Sequence, residues 1–169
     1  IYGVAVDQKF SRTLFGGLAL SRRDLDVPIS FLDTSVGASR IVHKDWREYL
    51  ARPYLFWTPH HWVALSAEYQ YERFERTADD LNFGIQDTTV RKIPLGLRFF
   101  HPSGLILGVK TTQINQVGDF QPKGGTCCQH GESSFWLTDL ALSYRLPNRY
   151  GFFSVGATNV TDRKFQYQE

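Results

Sequence analysis

From Phe135 to Leu146 the side chains alternate with a period of two. Trp136, Leu140, Leu142, Tyr144 and Leu146 share one parity, and Asp139, Ala141, Ser143 and Arg145 share the other. Residues two apart lie on one face of a β-strand, so this segment carries an apolar, aromatic-tipped face and a polar one. The same alternation sets Val63, Leu65, Ala67, Tyr69 and Tyr71 against Ala64, Ser66, Glu68, Gln70 and Glu72. It returns in Ile93–Phe99, Leu105–Val109 and Phe153–Ala157. Helical spacing competes poorly, because β-branched and aromatic residues with recurrent Gly are weak helix formers. The expectation is an all-β, antiparallel up-and-down meander of about eight strands, near 2–9, 12–23, 46–57, 61–76, 87–100, 104–117, 134–146 and 151–162.

The connections narrow the architecture. Thr58–His61, His101–Gly104 and Pro147–Gly151 read as tight turns, and a fourth short link falls between Gln8 and Arg12. Pro presets φ and Gly permits positive φ, which is what such turns need. Long polar loops are expected near 24–45, 76–86 and 118–133. Short and long connections thus alternate, as in transmembrane β-barrels, whose periplasmic turns are short and extracellular loops long. Strands of about ten residues suffice to cross a bilayer when tilted. No run of about 18 apolar residues occurs, so a membrane helix is not expected, while a barrel strand needs apolar residues only at alternate positions.

Residues 1–169 read as a single barrel domain or barrel fragment, one of about eight strands within a larger barrel. The sequence starts at Ile1 without Met and shows no signal peptide, so an internal piece of a longer chain is expected. With short turns periplasmic, both ends fall on the outer side, and at least one strand at each end is expected to lie outside this chain. Eight strands closing on themselves is the competing arrangement. Nineteen basic residues against 17 acidic ones, with no dense basic run, point away from nucleic acid. A hydrophobic share of 42% points away from disorder.

The segment Leu137–Leu146, its turn, and Gly151–Phe165 resemble the C-terminal region of TonB-dependent outer-membrane receptors. In that family the penultimate strand commonly ends in Asn, two apolar or small residues, Asp, a basic residue, a variable one and an aromatic. Here these are Asn159, Val160, Thr161, Asp162, Arg163, Lys164 and Phe165, with Thr161 departing from the usual aromatic. The resemblance implies a bacterial outer-membrane location, lipid contact, transport of an unidentified solute, and coupling to the TonB system through parts outside this chain. A plug-less export or anchoring barrel attached to a periplasmic domain fits the same residues. So does a soluble β-barrel binding module with its apolar parity turned inward around a small ligand.

Seven charged residues share the polar parity and are the candidates for lining a lumen: Glu68, Glu72, Lys92, Arg98, Lys110, Asp139 and Arg145. Mixed signs give no direction of selectivity, so mutual neutralisation is the expectation. Cys127, Cys128 and His130 are three soft ligands in one Gly-rich segment. Adjacent cysteines are not the usual spaced zinc pair and a fourth ligand is not evident, so no metal is expected; pairing with each other or with other cysteines is the alternative. His60 and His61 read as part of an interfacial turn. Trp57, Trp62, Phe99, Phe100, Tyr144, Tyr150 and Phe152 gather beside the short turns, as an interfacial aromatic girdle would. Asn159–Thr161 is formally a glycosylation sequon at a strand end and is discounted. No Ser elbow, zinc-protease helix or phosphate loop occurs, and His101, Ser103 and His130 form no evident triad, so neither an enzyme nor a cofactor is expected.

Overall fold

A computed structural model describes residues 1–33, 37–76, 84–121 and 129–164. All nine strands lie in one antiparallel sheet: β1 (Tyr2–Lys9), β2 (Leu14–Asp33), β3 (Ala38–His60), β4 (Val63–Glu68), β5 (Gln70–Arg76), β6 (Gly84–Phe100), β7 (Leu105–Gln121), β8 (Gln129–Arg145) and β9 (Phe152–Ala157). Each strand pairs with its neighbour in sequence, save that β4 and β5 both lie between β3 and β6. The all-β, antiparallel meander expected from the alternation is therefore present. Among the described residues no pairing joins β1 to β9, so the sheet has two open edges.

β4 and β5 are one strand. Trp57 faces Leu65 and Ala51 faces Tyr71, so the register against β3 does not change across the break. The same holds against β6, from Ala67 opposite Leu95 to Gln70 opposite Lys92. That register sets Pro53 beside Tyr69 and Pro94 beside Glu68. The Tyr69 amide donates to the Pro53 carbonyl at 3.0 Å, but neither proline has an N–H to return. Two prolines, one on each neighbouring strand, thus interrupt the ladder without shifting it. This accounts for nine elements where eight strands were expected.

The short links behave as the sequence suggested. Ser11 Oγ accepts from the amides of Thr13 and Leu14, closing the β1–β2 turn. At the β6–β7 turn the His101 amide donates to the Leu105 carbonyl, and Gly104 has a φ of +93°. The β8–β9 link contains a 3₁₀ turn at Pro147–Arg149.

The long connections require a correction. Instead of a loop over 24–45, β2 continues to Asp33 and β3 resumes at Ala38, in unbroken register from Arg23 opposite Glu48 to Asp33 opposite Ala38. Leu25, Val27, Ile29 and Phe31 keep the period of two through this stretch, and its many charges are cross-strand partners rather than loop solvation. Likewise β5 reaches Arg76, β6 starts at Gly84, β7 reaches Gln121 and β8 starts at Gln129, trimming the expected loops over 76–86 and 118–133 from both sides. At the other extreme β9 stops at Ala157 rather than near 162.

Gly104 and Gly37 both have positive φ, but only at Gly104 would a Cβ meet backbone, 2.6 Å from the Arg145 carbonyl oxygen. Gly104→Ala is expected to lower stability by roughly 1–3 kcal/mol, and Gly37→Ala, which meets open space, by less. Urea titration of the two variants followed by tryptophan fluorescence checks the order.

Candidate functional site

Following the register across the sheet separates two faces. One row reads Leu14, Trp57, Leu65, Leu97, Val109, Leu140 and Ala157, apolar on every strand from β2 to β9. The next row towards the short turns reads Val63, Phe99, Leu107, Leu142 and Val155. Most of these side chains are exposed, Leu140 keeping 41% and Leu142 48% of its accessible surface, while Leu14, Val63, Leu65 and Val109 are half-buried. The row spans roughly 29 Å across the strands, and Trp136 to Tyr144 roughly 27 Å along them. An apolar surface of order 800 Å² results, against roughly 300–600 Å² for the largest patch on a typical soluble monomer.

The same face changes character towards the long-loop end. Arg22 bonds Asp24 at 3.0 Å, His43 bonds Asp26 at 2.8 Å, Arg73 bonds Asp87 at 3.0 Å and His130 bonds Asp119 at 3.0 Å. The opposite face changes in the reverse sense. Near the long-loop end it holds the buried side chains Thr88, Ile114, Gln116 and Phe135, with Trp46 edge-on to Phe74 at 5.5 Å. Near the short turns it is polar. The long-loop half thus carries charges on the first face and packed side chains on the second, and the short-turn half has the reverse arrangement.

All seven charged residues singled out from parity lie on this second face, and the structure divides them. Lys92 Nζ bonds Glu72 at 3.0 Å. Glu68 accepts from Arg52 at 3.0 Å and from Gln70 at 3.3 Å. Asp139 lies opposite Lys110 in the ladder, but its Oδ1 accepts from the Asn159 amide at 3.0 Å. Arg98, Lys110 and Arg145 have no ion-pair partner among the described residues. Mutual neutralisation therefore describes Glu68, Glu72 and Lys92, but not these three cations. Parity reasoning had left out Arg52 and Tyr54, which share the face; Tyr54 donates to Asp7, and Arg23 pairs with Glu48. The signal was present, since Glu48, Arg52 and Tyr54 alternate with Tyr49, Ala51, Pro53 and Leu55.

Asn159 and Asp162 acquire a physical role. Both have positive φ, 49° and 48°, a conformation that Asn and Asp adopt more readily than most residues. Asn159 donates to the Arg163 carbonyl and accepts from its amide, both at 3.0 Å, locking the turn that follows β9. Phe165, Cys127 and Cys128 lie outside the described residues. Among the described residues no cluster of His, Cys, Asp and Glu has the makings of a metal site; His130 is turned to Asp119. His60 and His61 stack at 3.9 Å with both rings edge-on to Trp62. Ser103 Oγ lies 2.8 Å from His101 Nδ1 inside the β6–β7 turn, far along β7 from His130. Of the aromatic girdle, Trp57, Phe99 and Tyr144 project from the apolar face. Phe100 and Phe152 belong to the polar one, opposite Ile106 and Arg145. Their places on the apolar side are held by Leu107 and Phe153.

The Glu72–Lys92 pair is partly exposed, at 41% and 27%. A double-mutant cycle with Glu72→Gln and Lys92→Gln is expected to return a coupling of about 0.5–1 kcal/mol, shrinking in high salt.

Compared with protein-family models, curated proteins and solved structures, the chain matches none.

Proposed function

We propose that this sheet is part of the wall of a bacterial outer-membrane β-barrel that passes or takes up a solute, with its apolar band against lipid and its polar face towards a water-filled interior. The observation that carries the reading is the exchange of polarity halfway along the strands. A soluble sheet buries its apolar face; here much of the apolar half-face is exposed, and the face behind it carries Glu68, Arg98, Lys110, Asp139 and Arg145 among small residues. The exchange is the one expected where a sheet leaves hydrocarbon and continues into water. From Trp136 to Tyr144 the band measures roughly 27 Å along the strand, which a tilt of about 40° reduces to roughly 21 Å, close to the apolar belt of such barrels. The strands overshoot that belt: β2 has 20 residues and β3 has 23, where about 9–11 suffice to cross. The excess is the ion-paired half.

The resemblance to TonB-dependent receptors rests on the segment 137–165, within which Asn159 bonds the Arg163 backbone. Under this reading the open edges of β1 and β9 pair with further strands, because unpaired amides and carbonyls in hydrocarbon are costly. Lipid is the immediate partner.

Leu142 and Ser143 are adjacent and point to opposite faces, so single cysteines at these positions distinguish them. In native membranes, with Cys127 and Cys128 replaced by Ser, Ser143→Cys is expected to react with a water-soluble maleimide. Leu142→Cys is expected to react only with a lipid-soluble one. Release of the protein by an alkaline wash, or reaction of Leu142→Cys with the water-soluble reagent, overturns the reading.

A further inference from the structure

Arg98 stands in a row of small residues. Across the sheet its neighbours on the polar face are Ala64 on one side and Gly108, Ala141 and Gly156 on the other. A Cβ at Gly108 would sit 4.0 Å from Arg98 Cγ, so the arginine stem lies along the bare backbone of β7. The next row carries Ser143 and Ser154, whose hydroxyls bond each other at 2.8 Å. One step further is Arg145, opposite Phe152. An open groove of about 560 Å³ runs between the two arginines, lined by the two serines and, over most of its surface, by apolar groups including Phe100, Ile106 and Phe152.

The charges of this groove are unbalanced. Of the acids on the polar face, Glu68, Glu72 and Glu48 are neutralised by Arg52, Lys92 and Arg23, while Asp7 and Asp139 accept from neutral donors, the Tyr54 hydroxyl and the Asn159 amide, and keep their charge outside the groove. Arg98 and Arg145 have no ion-pair partner among the described residues, and Lys110 adds a third cation two residues beyond Gly108. The register puts the Arg98 and Arg145 Cα atoms roughly 17 Å apart, close enough for two long side chains to converge and too far for them to contact each other unaided. A guanidinium offers a planar fork of N–H donors matched to two oxygens of one group, and the hydrogen-bonded serine pair leaves one hydroxyl hydrogen free between the forks.

We propose that the groove between Arg98 and Arg145 binds an oxyanion, a phosphate or carboxylate group of a solute or of a lipid headgroup. The proposal goes beyond the transport reading and does not depend on the apolar face meeting lipid, only on the polar face being open to water.

Equilibrium dialysis of the full-length protein in neutral detergent at low ionic strength, with radiolabelled inorganic phosphate as the probe, tests it. Saturable binding is expected, weakened at least tenfold in the Arg98→Gln/Arg145→Gln variant and unchanged within twofold in Glu72→Gln/Lys92→Gln, which alters the neighbouring neutral pair. Absence of saturable binding, or equal affinity in the arginine variant, overturns the site. Should the glutamine variant lose its β-sheet circular dichroism, Arg98→Lys/Arg145→Lys keeps the charge without the fork. Weakened binding there supports the site and unchanged affinity overturns it. Doping the micelles with phosphatidylglycerol separates the sources, since displacement of phosphate marks a headgroup site and retention a site for a dissolved oxyanion. Either result leaves the maleimide experiment on Leu142 and Ser143 as an independent measurement.

Discussion

Everything in this sheet depends on the continuity of the antiparallel ladder. Because side chains alternate strictly, a slip of one residue between any two strands would carry a whole apolar set to the other face. The register holds from Leu14 opposite Trp57 to Asp33 opposite Ala38 in β2–β3 and from Leu105 opposite Tyr144 to Phe120 opposite Gln129 in β7–β8. Even the two prolines beside Glu68 and Tyr69 remove donors without moving the pairing. A seven-residue apolar row can form across strands widely separated in sequence because each pairwise register holds through that row; the two shifts, between Trp57 and His60 against β4 and between Ile85 and Asp87 against β7, lie towards strand ends.

Given that ladder, the two faces are free to differ along their length, and they do. In the long-loop half, charges pair on the face that carries the apolar band, while Ile114, Phe135 and Gln116 pack on the opposite one. In the short-turn half the preferences reverse. Water on both sides does not favour such an arrangement, since several hundred Å² of leucine, valine and aromatic surface would stay hydrated. On the proposed reading the solvent itself changes at the boundary. The polar face then keeps its charges because water or solute, rather than hydrocarbon, stands against them, and Arg98, Lys110 and Arg145 are left without an ion-pair partner among the described residues.

Much of this was legible beforehand. Period-two alternation located the strands, and turn residues located the short links, because both are local properties of the chain. The parity of Glu68, Lys92 or Asp139 assigned a common face without any coordinates. Charge density was misleading between residues 24 and 45: polar composition suggested a loop, while Leu25, Val27, Ile29 and Phe31 were continuing the strand with their charges facing partners across it. Phe100 and Phe152 were misassigned to the apolar girdle because nearness to a turn says where a residue lies along a strand and nothing of which way it points.

The sequence by itself determined the strand type, the short links, the order of the meander and the two parities, since these follow from alternation and turn chemistry within short stretches. Only the tertiary structure decided which charges are neutralised. Arg52 meets Glu68, 16 residues away, and Lys92 meets Glu72, 20 residues away, through the register of neighbouring strands, which composition does not encode. The same register set Arg98 over Gly108 and Ala141 rather than beside an acid. Coulomb attraction and hydrogen bonding act over a few ångströms, so whether a charge is paired or left over is settled by which strands lie side by side, and at what offset.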